Sequence, residues 1–215
     1  MKIKAVIFDL DGLLIDSQCL HYEAACAAFA EKGHVMTKED WHNFIHGHME
    51  YEEYIKVKNL SLLPKKIHAR KREIYNQLIK NRLTLKTGAR DLVDLLQGSF
   101  DLAVASHSNI DSVKFCIDKF NFTSTFKHVI SDQVLSKRKP HPEVFLRAAK
   151  LMKVHPEDCL VFEDSLQGLQ AAKSAGMKCI ICPDDSFPVN KELYRDADKI
   201  IDRLNEVDLE MISNL

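Results

Sequence analysis

Short apolar runs bounded by polar loops alternate, over most of this chain, with stretches of helical period. Residues 3–8 (Ile-Lys-Ala-Val-Ile-Phe) are apolar and β-branched and stop at Asp9-Leu10-Asp11-Gly12, the pattern of a short strand running into a tight loop. Further strands are predicted at 102–105, 128–130, 159–162, 178–182 and 199–201. Helical patterns fall between them at 89–97, 110–120, 142–152 and 166–175, the last stopping at Gly176, and a helix follows the final strand. Strands alternating with helices of about a dozen residues require crossover connections, and therefore a parallel sheet. The apolar character of the strands fits burial on both faces. Residues 17–84 interrupt this rhythm. A helix over 17–32, with Ser17 as its N-cap and Gly33 as its stop, is followed by helical stretches to about Arg82, punctuated by Gly47 and Pro64. The expected fold is α/β and doubly wound: a core of residues 1–16 and 85–215, with a helical block, 17–84, inserted after its first strand.

Composition changes this picture little. The 215 residues suffice for one good core and a small appended domain. Thirty Lys and Arg against 31 Asp and Glu remove the simplest case for a nucleic-acid or membrane-surface binder. No apolar stretch reaches the ~18 residues of a membrane span, and the first is too short for a secretion signal. The six cysteines lie scattered in apolar segments and read as reduced, partly buried thiols. Cys179 and Cys182, three apart on a strand, face opposite ways rather than forming a redox pair. A cytoplasmic monomer is expected, acting on a small metabolite, with no nucleic-acid or membrane partner. The basic stretch 65–72 reads as a solvated helix face. His42 and His46, with His48 near, have a zinc-compatible spacing but lack companion ligands, and read as structural or surface histidines.

In an open α/β sheet, ligands bind beyond the carboxyl ends of the strands. Asp9 and Asp11 follow the first strand, Ser106 the second, and Glu163 and Asp164 the fourth; Lys139 stands beside Pro140 in a loop leading into a helix. Carboxylates gathered this closely repel one another and resist burial unless a cation joins them. A hard divalent cation, Mg²⁺, held by two or three oxygens, fits that need. Ser106 and Lys139 suit the remaining anionic oxygens of a phosphate. Asp9 is the nucleophile candidate, because it directly ends a strand and a carboxylate needs no base to activate it. Asp11, two residues further on, suits acid–base work between leaving oxygen and attacking water.

Taken in order, Asp9-Leu-Asp11-Gly12, strand–Ser106, Lys139-Pro140, and Glu163-Asp164 before a helix containing Gly168 resemble the four motifs of the haloacid dehalogenase-like phosphatases, over essentially the whole chain. The resemblance implies a Rossmann-like sheet with an inserted helical cap, hydrolysis of a phosphomonoester (a small sugar phosphate or nucleotide-like compound), and a phospho-aspartate at Asp9. It implies acid–base work by Asp11, phosphate binding by Ser106 and Lys139, and Mg²⁺ held by Asp9, Asp164 and the backbone carbonyl of Asp11, with Glu163 as a further ligand or a neighbour of the ligands. The opening Phe8-Asp-Leu-Asp-Gly-Leu-Leu-Ile-Asp-Ser17 and the inserted helices are similar to the β-phosphoglucomutase-like branch. The run Cys159-Leu-Val-Phe-Glu-Asp resembles pseudouridine 5′-phosphatase and its relatives.

Two departures stand out. Mutases of that branch carry an arginine shortly after a cap glycine, to grip a second phosphate. Here Gly47-His48-Met49-Glu50 puts an acid there, which favours hydrolysis over the alternative, sugar phosphomutase chemistry. His21 and Lys71 nonetheless occupy positions where that resemblance places phosphate-handling cap residues. His107, where a small residue is commoner, is expected to narrow the site or touch the leaving group. A catalytically idle binding protein of this fold is the remaining alternative, and the complete residue set argues against it.

Overall fold

The computed structural model describes residues 2–46, 50–186 and 188–215. In chain order its elements are β1 (Ala5–Phe8), α1 (Gln18–Ala30), α2 (Lys38–His46), α3 (Tyr51–Val57), α4 (Pro64–Arg82), α5 (Ala89–Leu96), β2 (Asp101–Ala105) and α6 (Ile110–Lys119). They continue with β3 (His128–Ile130), α7 (Glu143–Met152), β4 (Cys159–Glu163), α8 (Leu166–Ser174), β5 (Lys178–Ile181), β6 (Lys199–Ile200) and α9 (Leu209–Ser213). The strands form one sheet in the order β3-β2-β1-β4-β5-β6, every pairing parallel. This is the expected doubly wound α/β fold, with the sheet parallel throughout rather than mostly so.

β1 is central because all four of its residues are apolar and both its edges are paired; every position is buried. The chain winds outward from β1 through β2 to β3, then returns to place β4 on the other side. The order therefore reverses between β1 and β4, where such sheets leave a crevice for ligands. Phe8 pairs with Phe162 in register, their rings stacked at 5.3 Å. The residues that follow, Asp9 and the Glu163–Asp164 pair, must therefore emerge side by side.

By its internal contacts the chain divides into two compact units, Met1–Asp16 with Thr84–Leu215, and Ser17–Leu83. The first is held by a core that includes Ile7, Phe145, Val161, Leu169 and Cys179. In the second, α1 buries Leu20, Ala24 and Phe29 and packs on α4, which buries Ile67, Tyr75 and Ile79. Pro64 opens α4 within its first turn, where a missing N–H costs nothing. Among the described residues no helix is long and apolar enough to cross a membrane.

Local differences from the pattern have local causes. Ser17 precedes α1 but takes a helical backbone conformation and makes no side-chain cap, which needs an extended one. Short 3-10 turns at 132–134, 156–158, 191–194 and 204–206 carry too few residues for a periodic signal. Cys179 and Cys182 are free and buried, and Cys19 is exposed.

Candidate active site

Asp9 follows β1 directly, its N–H donating to the Phe162 carbonyl of β4 at 3.0 Å. That bond carries the sheet one residue past the strand and holds Asp9 against the end of β4. Asp9, Glu163 and Asp164 are buried, and each offers a carboxylate oxygen within 4.8 Å of the others. Lys139 reaches into this cluster from the loop before α7, its Nζ 2.5 Å from both Asp9 Oδ1 and Glu163 Oε1. The second oxygen of Glu163 accepts from the backbone N–H groups of Asp164 and Ser165, each at 2.8 Å, and from Ser165 Oγ at 2.9 Å.

That posture of Glu163 depends on Gly168. A Cβ on residue 168 would lie 1.8 Å from Glu163 Cδ, a separation no real pair of atoms tolerates. Ser165, whose Oγ accepts from the Gly168 N–H at 3.0 Å, is the N-cap of α8. Asp164 is thereby left free of a capping duty.

The electrostatics follow from burying several like charges together. Burial pushes the Asp9 carboxyl up to about 7, although Lys139 pulls the other way. Asp164 is pushed well above the ordinary carboxylate value by burial and then by the charges of Glu163 and Asp9. Burial also opposes ionisation of Glu163, but Lys139 and the Ser165 hydrogen bonds outweigh it and hold that carboxyl below its usual value. Lys139 shows the converse: burial disfavours its ammonium, and Asp9 with Glu163 more than restore it. Three buried carboxylates thus share one ammonium. An all-oxygen donor set still short of positive charge fits a hard divalent cation of the magnesium type.

Asp11 lies in the loop after β1, and its Oδ2 accepts from Ser108 Oγ at 2.6 Å and from Ser106 Oγ at 3.4 Å. Ser106 is fixed in turn, its N–H donating to Ile130 and its Oγ accepting from the Ser108 N–H at 2.9 Å. Ser106 is not a helix cap; Asn109 caps α6. Ser108 was not among the residues expected from the sequence. The signal for it is the Ser-x-Ser spacing, which in an extended loop turns both hydroxyls to one side. His107, between them, is half-buried.

The structure therefore gathers Asp9, Glu163, Asp164 and Lys139 in one cluster and places Asp11 with Ser106 beside it, all in the α/β unit. The remaining candidates belong to the helical unit. Lys71 Nζ is 2.6 Å from His21 Nδ1, and the His21 ring stacks on Tyr75 with centroids 3.9 Å apart. Glu50 is exposed at the start of α3. His48 and the side chain of His46 lie outside the described residues.

The chain is 29% identical over 217 residues to the YhcW protein of Bacillus subtilis (strain 168), covering 98% of this chain and 96% of that one. It is 30% identical over 186 residues to the phosphorylated carbohydrates phosphatase of Thermotoga maritima, covering 83% and 84%. Among solved structures, CbbY from Rhodobacter sphaeroides in complex with phosphate superposes with a TM-score of 0.84 at 27% identity, over 98% of this chain and 99% of that one. The family model for haloacid dehalogenase-like hydrolases matches residues 6–182, from β1 through the Glu163–Asp164 pair to the end of β5. With that match spanning every element that builds the cluster, the chain belongs to the haloacid dehalogenase-like hydrolases and is an enzyme of their phosphatase kind.

Proposed function

We propose that this enzyme is a magnesium-dependent phosphomonoester hydrolase that works through a phosphoryl group carried on Asp9, with a small sugar phosphate as substrate. The observation that carries this reading is the buried cluster itself: a strand-end carboxylate pinned by one ammonium, beside a second aspartate held by two hydroxyls. The relative from Thermotoga maritima that acts on phosphorylated carbohydrates supports the sugar.

In the first step an oxygen of Asp9 attacks phosphorus in line with the leaving oxygen. The phosphorus–leaving-oxygen bond breaks, and Asp11 gives that oxygen its proton. In the second step water attacks the same phosphorus, Asp11 takes the water's proton, and the bond to Asp9 breaks, releasing inorganic phosphate. Ser106 donates a hydrogen bond to the phosphoryl oxygens, and Lys139 supplies a fixed charge to them. The carboxylates of Asp9 and Asp164, with the Asp11 carbonyl, would hold Mg²⁺, and Glu163 orients Lys139 beside them. Once bound there, magnesium contributes positive charge toward the carboxylates and the phosphoryl oxygens. The helical unit, residues 17–84, is assigned to leaving-group selection, through Glu50, His48, His21 and Lys71.

The test is phosphate release from a panel of sugar phosphates and nucleoside monophosphates, with Mg²⁺ and with chelator. Hydrolysis that needs the metal and favours sugar phosphates is expected. Release of phosphate without any divalent cation would overturn the metal assignment. Conversion of a sugar 1-phosphate to its isomer without free phosphate would replace hydrolysis by mutase chemistry.

A further inference from the structure

Lys139 is gripped at its charged end by the cluster and by a ring. Its Nζ lies against Asp9 and Glu163, and 4.9 Å from the centroid of the buried Phe145 ring on α7. The backbone end has no such packing. Ser136, Lys137 and Arg138, which lead into it, are exposed and carry no apolar side chain to bury. A segment of this kind is fixed only by where its polar groups find partners. Three donors here converge on one oxygen. Glu143, at the start of α7, accepts on Oε2 the Lys137 N–H at 2.9 Å, the Ser136 N–H at 3.0 Å and Ser136 Oγ at 2.8 Å. Its Oε1 accepts from Arg147 Nε at 2.9 Å and lies 2.7 Å from Nη2 of the same guanidinium, one turn along the helix, which steadies the carboxylate. Further on, the His141 N–H donates to the Arg138 carbonyl at 2.9 Å and closes a turn around Lys139 and Pro140.

We infer that Glu143 is a positioning residue for Lys139, aiming its ammonium by tying the exposed loop beneath it to α7. The same helix carries the Phe145 ring beside that ammonium, so both ends of the lysine are referred to one rigid element. The need is physical. A lysine has a long, rotatable stem, and its charge serves a phosphate best when the backbone beneath it is already fixed. Reach matters more than charge in this role. Glutamine keeps the length of Glu143 and one acceptor oxygen for the loop, giving up the pairing with Arg147. Aspartate keeps the charge but is a methylene too short to meet the same donors. This inference rests on the proposed phosphate-binding role of Lys139.

The full-length enzyme with Mg²⁺ is compared with Glu143→Ala, Glu143→Gln and Glu143→Asp. Loss of hydrogen bonding of ordinary net strength predicts that Glu143→Ala falls about tenfold in kcat/KM, and by the same factor for every phosphomonoester. Affinity for inorganic phosphate, measured by calorimetry, falls with it. Glu143→Gln should recover most of both, and Glu143→Asp little. Recovery by aspartate equal to that by glutamine would overturn the inference, because a negative charge at the helix N-terminus would then suffice. Intact phosphate affinity in Glu143→Ala would overturn it too. In a Lys139→Ala background, Glu143→Ala should change kcat/KM by less than about twofold; a further tenfold loss would mean that Glu143 does not act through Lys139. Amide exchange at Ser136 and Lys137 gives a readout independent of turnover and should quicken in Glu143→Ala; unchanged exchange also overturns the inference. If the wild type hydrolyses no phosphomonoester, the proposed function fails, and the exchange experiment still decides the clamp. Should the alanine variant not fold, the glutamine–aspartate contrast decides alone.

Discussion

Gly168→Ala tests the link between helix α8 and the catalytic cluster. In an ordinary helix this change stabilises by about 1 kcal/mol, because alanine loses less backbone freedom and favours the helix. Here the added Cβ would sit 1.8 Å from Glu163 Cδ and Oε1 and 2.3 Å from Oε2. Glu163 has to swing aside, and its side chain is 1% exposed with no water to receive it. Swinging breaks the three hydrogen bonds to Oε2 and the contact with Lys139. Displacing a buried, hydrogen-bonded charge of this kind costs on the order of 3–5 kcal/mol. After the helix gain, a net loss of about 2–4 kcal/mol remains.

Urea unfolding reads this as a lower midpoint at an unchanged slope. Turnover should fall at the same time, since Lys139 loses one of its two carboxylate anchors. In a Glu163→Ala background the clash vanishes, and Gly168→Ala should there be neutral or stabilising. A Gly168→Ala protein as stable as the wild type, or equal effects in the two backgrounds, would refute the reasoning.

Three further outcomes are expected. Asp9→Asn should abolish phosphate release while leaving the cooperative unfolding transition in place; measurable turnover would reject the assigned nucleophile. Asp11→Asn should slow hydrolysis most for substrates with poor leaving groups, and an equal effect on good and poor ones would remove its acid role. The third concerns pH. Burial lowers His107 from 6.5 to about 4, so between those values the unfolded chain binds more proton than the folded one. Its contribution is complete above about 6.5 and declines as pH falls to about 4, by at most about 3 kcal/mol for this partly exposed ring. The stability of wild type relative to His107→Asn should shrink over that window, and a constant difference would contradict the assignment.

Much of the fold was legible because its signals are local and repeated. The run Ala5–Phe8 is apolar at every position, so a strand buried on both faces was the natural expectation, and Asp9 at its end followed. Gly33, Gly88 and Gly176 take positive φ, which is why helix boundaries near them were placed well. Pair relations across the fold were not legible. Nothing local says that Ser108 faces Asp11, 97 residues away in sequence, or that Gly168 leaves room for Glu163. The expected side-chain cap at Ser17 failed because a cap depends on backbone conformation, which residue type alone does not dictate.

The adjacency of β1 and β4 explains why the site has to crowd its charges. Pairing Phe8 with Phe162 forces the next residues of both strands into one narrow space, and in this chain those residues are Asp9 and Glu163, followed by Asp164. Apolar residues there would pack at no electrostatic cost, so stability gives no reason for three carboxylates to share that crevice. The raised Asp9 and Asp164 show that the arrangement works against the fold. Lys139 offsets only part of that cost, and its loop is held by Glu143 rather than by apolar packing. A site that strains its own scaffold in this way calls for an incoming positive charge: a cation bound among Asp9, Glu163 and Asp164 would relieve the repulsion that folding alone leaves in place, and would offset the charge of a phosphoryl group brought beside it.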